Sequence, residues 1–238
     1  MTEPFDAAHT RRAMLKSALV MASGAVVSAC TSNRIVAAVE PIVARPVPVQ
    51  AAPKLAEPVL AAKGPVAPAG VRPELFRKAI AALDRHSMAI ASHDRIAIAD
   101  FSLKSADPRF HIINLGTGQC ETLLVAHGMG SDPDHTGLLQ RFSNDPGSNA
   151  TCEGAFVTSD YYTGQHGASQ RLLGLDTTNS NALDRAIVVH SAWYANPDMI
   201  QKWGKLGRSQ GCFAVGEADL ETVFLKLGQG RMIYSAKV

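Results

Sequence analysis

Between Phe5 and Phe76 the chain has no aromatic residue, and prolines recur at Pro41, Pro46, Pro48, Pro53, Pro58, Pro65 and Pro68. Each proline removes a backbone donor and fixes φ, so residues 31–72 can neither hold a helix nor join a sheet. Their Ala, Val and Pro composition suits a polyproline-like tether at about 3 Å per residue, with a reach on the order of 100 Å. A folded core has to come from the remaining residues, 73–238, which is enough for one domain.

Residues 1–30 read as an export segment. Arg11, Arg12 and Lys16 precede a mildly apolar run from Ser17 to Val27. That run is too short to cross a bilayer and has the build of a signal h-region. The arginine pair, followed by a hydrophobic residue and a lysine, resembles a bacterial twin-arginine signal. Val27-Ser28-Ala29-Cys30 resembles a lipobox, which makes Cys30 the expected site of a lipid anchor. Cleavage after Ala29 without lipidation is the alternative. The several acyl chains of a bacterial lipoprotein would anchor it stably. The expected location is the periplasm or cell envelope.

Net charge is +2, so nothing points to a nucleic-acid partner. Cys30, Cys120, Cys152 and Cys212 form no C-x-x-C pair, which argues against a zinc ribbon or a thioredoxin-like site. Cys120 and Cys152 are either paired or free, a choice that their spacing leaves open.

From Pro73 the pattern is helical, with Leu75, Phe76, Ala79, Ile80 and Leu83 on one face and proline at the first position. The period then shortens. Strands are expected at 95–101, 109–115, 120–126, 155–158, 170–175, 185–190 and 231–234, with a turn at 116–119. A short helix is expected near Pro197. Another runs from Glu217, burying Leu220, Val223, Phe224 and Leu227 and stopping at Gly228. The long polar segment from His127 to about Glu153 is read as a functional loop. The sum is a mainly β (α+β) domain with a few peripheral helices.

One pair of residues carries chemistry. His190 ends the apolar run Ala186-Ile187-Val188-Val189, and Cys212 follows Gly211 among small residues. A thiol becomes a strong nucleophile beside a base or a cation. A histidine at a strand end is a rigidly placed base. Gly211 allows a tight turn whose amides, with that of Cys212, can serve as oxyanion donors. Arg208 is the expected cation, to hold a carboxylate or to favour the thiolate. By spacing alone the pair marks only a candidate thiol enzyme. Tyr161, Tyr162, Trp193 and Tyr194 are candidates for lining a groove. Asp132, Asp134 and His135, with His127 and His166, offer a competing metallopeptidase reading, but without H-E-x-x-H spacing.

Six segments in order resemble the murein L,D-transpeptidase catalytic domain, in its YkuD_2-like branch. They are Asp100-Phe101-Ser102, Val125-Ala126-His127-Gly128, Phe142-Ser143-Asn144, Ser169-Gln170-Arg171-Leu172, Ile187-Val188-Val189-His190 and Gly207-Arg208-Ser209-Gln210-Gly211-Cys212. The resemblance implies a β-sandwich in which Cys212 attacks an L-to-D bond of a peptidoglycan stem and His190 moves the proton. It implies that a main-chain carbonyl, that of Ser191, orients the ring. A thioester then passes its acyl group to an amine of a second stem, giving a 3-3 or a 1-3 crosslink. Donor and acceptor stems are the expected partners. No cofactor and no metal are implied, and a monomer is expected. Ser209, Gly211 and Cys212 match the motif of the broader family. The resemblance places His127 near the cleft, either as a substrate contact or as a loop cap. Gln210 stands where the broader motif has histidine. Phe213 stands where proline is common, and Ala150-Thr151-Cys152-Glu153-Gly154 replaces a Ser-Ser-Leu-Gly run. These departures bear on donor and acceptor choice. Two outcomes stay open: water as acceptor, giving an L,D-carboxypeptidase or endopeptidase, and a wall-binding lipoprotein without catalysis.

Overall fold

The computed structural model describes residues 65–238; the expected export segment and residues 31–64 of the expected tether lie outside the described residues. Packing begins just before the first helix. Val71 is buried, and Arg72 pairs with Asp100 and donates to the carbonyl oxygen of Val238. Helix α1 (Pro73–Arg85) starts on proline, whose missing N–H costs nothing in the first turn. Its apolar stripe buries Leu75, Phe76, Ala79, Ala82 and Leu83. Each large side chain among these contributes about 2 kcal/mol of burial.

The strands are β1 (Arg95–Asp100), β2 (Phe110–Asn114), β3 (Cys120–Leu123), β4 (Gly154–Gly164), β5 (Gly167–Gly174), β6 (Val188–Ser191), β7 (Phe213–Val215) and β8 (Met232–Ala236). They form one eight-stranded mixed sheet in the order β3-β2-β1-β8-β4-β5-β6-β7. Only β1–β8 and β6–β7 are parallel. The domain is mostly sheet with a few helices, α2 (Asp198–Trp203) and α3 (Leu220–Leu227) being the other two. The expected mainly β domain is built on this one continuous sheet. Ala126, just beyond β3, bridges to Ala214 of β7, which joins the two ends. No helix among the described residues is long and apolar enough to cross a membrane.

Alternation divides most of the sheet's side chains between two large cores, and a smaller third cluster gathers Leu124, Ala126, Ala192, Met199, Leu206 and Ala214. Ala97, Ala99, Phe110, Ile112, Phe156, Val189, Phe213 and Ile233 face the inner core, which α3 also enters through Val223 and Leu227. Ile96, Ile98, Ile113, Ala155, Val157 and Met232 face α1. β1 is buried on both sides, and its centre, Ile96 to Ala99, therefore reads as a continuous apolar run.

Strand β7 has no counterpart among the expected strands, β3 ends at Leu123 rather than 126, and other elements differ in extent. Strand β6 starts at Val188 rather than 185, because Ala186 has φ +51° and Arg185 belongs to the preceding turn. Helix α3 starts at Leu220 rather than Glu217, because Glu217 exchanges hydrogen bonds with Asn196 and is held in the preceding turn. The β4–β5 hairpin is longer than expected, since backbone pairing carries it through exposed residues from Tyr161 to Gly167. Cys120, Cys152 and Cys212 are free thiols; Cys120 packs toward the α1 side and Cys152 lies in the inner core.

Candidate functional site

Strands β6 and β7 position the pair. They run parallel, with Val189 opposite Phe213 and His190 opposite Ala214. Val189 and Phe213 both enter the inner core. Because side chains alternate, His190 on β6 and Cys212, the residue just before β7, point to the other face, two positions apart in register. Cys212 is 7% exposed, and its Sγ lies 3.5 Å from the carbonyl oxygen of Ala186. His190 Nδ1 donates to the carbonyl oxygen of Ser191 at 2.8 Å. A carbonyl can only accept, so the proton of neutral His190 sits on Nδ1 and Nε2 carries a free lone pair. Burial lowers the His190 pKa, the Ser191 carbonyl opposes this, and His166 adds to the lowering. Burial raises the Cys212 pKa, while the Val188 amide and the Arg185 charge pull it down. The resting site therefore holds a neutral thiol and a neutral imidazole.

The turn before Cys212 is braced from within. Ser209 Oγ donates to the Cys212 carbonyl at 2.7 Å and accepts from Gly211 N–H at 3.1 Å. Gly211 has φ +116°, and a Cβ there would lie 2.7 Å from the Ala150 carbonyl oxygen, so only glycine fits without displacement. These contacts correct one expectation. The Gly211 amide is already taken by Ser209, so it is not free to receive an oxyanion in this state. Ser209, 3% exposed, shapes the turn rather than facing a ligand.

Two more expected site residues stand elsewhere. Arg208 donates to the carbonyl oxygens of Asp132 and Pro133 and anchors that loop. The cation whose charge acts on the Cys212 thiol is Arg185, which lines the same cleft and donates to the carbonyls of Ser143 and Ala150 and to Cys152 Sγ at 2.8 Å. Sequence reasoning missed it because residues 185–190 read as one strand. His127 does not reach the cleft. It is 1% exposed, accepts from Arg109 at Nδ1 (2.8 Å) and approaches Asp132 with Nε2 at 3.4 Å. Its carbonyl accepts from Ser209 N–H, so it holds the turn that carries Cys212 and fills the loop-capping alternative.

A cleft of about 340 Å³ opens on Cys212. Its walls include Tyr162 and His166 from the β4–β5 hairpin, Asp184 and Arg185 from the turn before β6, and Gln210. Of the other aromatic candidates, Tyr161 packs on Phe224 and Trp193 on Trp203 and Tyr194. The residues of the metallopeptidase reading do not converge. His135 donates to the Leu206 carbonyl, His166 lies over His190, and the described residues hold no cluster of three or more His, Cys, Asp or Glu groups with metal-binding geometry.

The buried network has a pH signature. Burial first, then the Arg109 charge, push the His127 pKa down from 6.5 to about 4, with Asp132 opposing. The unfolded chain, at about 6.5, binds that proton first as pH falls. Stability tied to His127 is therefore complete above about pH 6.5 and is lost toward pH 4, by about 3 kcal/mol at most. Burial raises the Asp132 pKa, but the amides of Thr136 and Gly137 outweigh it and bring it to about 2, so its own loss comes at lower pH. Urea unfolding at pH 7 and pH 4 is expected to show a stability gap that shrinks in His127→Asn. An equal gap in both proteins would place the acid sensitivity elsewhere.

The sequence matches the YkuD_2 family, described as the L,D-transpeptidase catalytic domain, over residues 68–235. No curated protein is significantly similar to the chain. Solved structures with a related arrangement include an L,D-transpeptidase from Mycobacterium smegmatis (13% identity, 60% of this chain and 58% of that one, TM-score 0.36). Another is the helical cell-shape-determining protein Pgp2 of Campylobacter jejuni (11%, 62% and 48%, TM-score 0.40). A third is an L,D-transpeptidase from Xylanimonas cellulosilytica (15%, 66% and 68%, TM-score 0.37). The chain spans less than two thirds of the mycobacterial and Campylobacter chains.

Proposed function

The chain belongs to the YkuD_2 family of L,D-transpeptidase catalytic domains, and from that premise we propose that it is a cysteine-dependent peptidoglycan L,D-transpeptidase. One observation carries the reading. The Cys212 thiol opens on a cleft, next in the sheet to a histidine whose Nδ1 is bound to the Ser191 carbonyl and whose Nε2 is left basic.

In the proposed reaction the Cys212 sulfur attacks the carbonyl of an L-centre joined to a D-residue in a stem peptide. Its proton passes to His190 Nε2. The tetrahedral intermediate collapses, the C–N bond breaks, and the same proton leaves on the departing amine. A thioester remains on Cys212. An amine of a second stem attacks it, gives its proton to His190 and regenerates the thiol. Arg185 favours the thiolate through its charge. Export through residues 1–30, a lipid anchor on Cys30, a tether over 31–72 and monomeric action in the cell envelope complete the proposal, since this is where stem peptides lie.

Incubation of the purified protein with disaccharide-peptides, followed by mass spectrometry, tests this. Crosslinked dimers are expected, and their fragmentation identifies the bond cut and the acceptor amine. Shortened stems without dimers would make water the acceptor. Unchanged stems would defeat the enzymatic reading.

A further inference from the structure

The β4–β5 hairpin ends in the turn Gln165-His166. Strand β5 pairs with β6 at Ser169 opposite His190, so the tip of the hairpin overhangs the end of the pair. There the His166 ring lies on the His190 ring, with centroids 4.4 Å apart and planes 20° from parallel. His166 also lines the cleft with Cys212, whereas His190 beneath it is 1% exposed. We propose that His166 is a positioning residue, which fixes the plane of the His190 ring and shields it from water at the end of the β6–β7 pair, where Cys212 lies.

The need for such a contact follows from the other restraints on His190. The Nδ1 bond to Ser191 fixes one point of the ring and leaves the ring free to tilt about it. Among the described residues Nε2 has no hydrogen-bond partner. A stacked ring supplies the missing restraint, and aromatic pairs of this kind add about 0.5–1.5 kcal/mol beyond buried area. The stack is also charge-sensitive. A neutral His166 presents a π face to the His190 cation that forms when the thiol proton arrives. A protonated His166 would repel it. The groups that face His166 across the cleft are Tyr162 from β4, Asp184 and Arg185 from the turn before β6, and Cys212. The Arg185 guanidinium is held by carbonyl oxygens and Cys152.

The proposal rests on the reading of Cys212 as nucleophile and His190 as base. Its test is the rate at which imipenem acylates Cys212 in the full-length protein, followed by mass spectrometry from about pH 5 to pH 9. His166→Ala is expected to slow acylation about tenfold, because a tilted base misplaces the proton acceptor. It should also move the acid limb of the profile upward, since burial is the main cause that lowers the His190 pKa and the hydration regained by the uncovered ring outweighs the lost π contact. His166→Phe keeps the stack and is expected to return the plateau rate to within about threefold of the parent. An unchanged rate and acid limb in His166→Ala would overturn the proposal. So would a uniform slowing in both variants, with no shift of the limb and no recovery in phenylalanine. Wild-type protein that takes no label on Cys212 would overturn the underlying reading, an outcome distinct from either.

Discussion

Cys212→Ala is expected to abolish both the covalent adduct with a carbapenem and the formation of crosslinked stems. No other described thiol is placed to replace it. Cys152 is fully buried, with Arg185 against its sulfur, and burial raises its pKa. Cys120 is half-buried on the far side of the sheet, and burial raises its pKa as well. Loss of a covalent nucleophile typically costs at least about 10³-fold in rate. Removing one small side chain should cost the fold only about 1 kcal/mol or less. The expected pattern is therefore a protein with an unchanged circular dichroism spectrum and no adduct on any peptide. His190→Ala should retain the thiol yet acylate about 10² to 10⁴ times more slowly, the usual span for a lost general base. An adduct that persists in Cys212→Ala, on whichever residue, would sink the assignment.

Arg109→Leu is expected to be the most damaging substitution for the fold. The Arg109 side chain is fully buried. It donates to the Val125 carbonyl through Nε (3.1 Å) and a terminal nitrogen (2.9 Å), to the Leu103 carbonyl (2.8 Å) and to His127 Nδ1 (2.8 Å). The guanidinium lies 4.9 Å from the centre of the Phe101 ring. Burial lowers its pKa to about 9, with Asp100, Asp107 and Asp132 opposing, so it stays charged at neutral pH. Leucine would leave two carbonyls and a histidine nitrogen without partners in the interior. The cost of orphaned buried groups is about 3–5 kcal/mol. That is a large share of the about 5–15 kcal/mol that holds a domain. Equilibrium urea unfolding should show it as a lower midpoint. Lysine at this position keeps the charge but not the fork, and should recover less than half of the loss. A change below about 1 kcal/mol in Arg109→Leu would show that the network does not hold the fold.

The two substitutions probe connected parts of one structure. Arg109 holds His127, the His127 carbonyl holds Ser209 N–H, and Ser209 Oγ holds the Cys212 carbonyl. The expected stability loss at Arg109 should therefore be accompanied by slower acylation at Cys212, even where the variant is still folded.

Local periodicity was enough to locate α1, most of the strands and the inner face of α3, because each buries a regularly spaced set of side chains. Residue chemistry made Cys212 and His190 a candidate pair, and the family resemblance gave them their roles and pointed to the Ser191 carbonyl. Periodicity could not reveal β7, whose three residues are too few to show a period. Nor could it say which arginine stands beside the thiol. Arg208 is four residues from Cys212 in the chain, yet its guanidinium is bound to the 132–133 loop. Arg185 lines the cleft with Cys212 and acts on its thiol by charge, at the end of a turn in which Ala186 takes a left-handed conformation that no spacing rule announces. His127 carries a motif but is spent on Arg109 and Asp132. His166 sits in a polar turn with no pattern of its own, and only the register of β5 on β6 sets it over His190. The sequence by itself determined the sheet-rich character of the domain and marked Cys212 and His190 as candidates, since these depend on neighbours along the chain. The tertiary structure alone decided what surrounds that pair, since strand register and turn dihedrals bring together groups that are tens of residues apart.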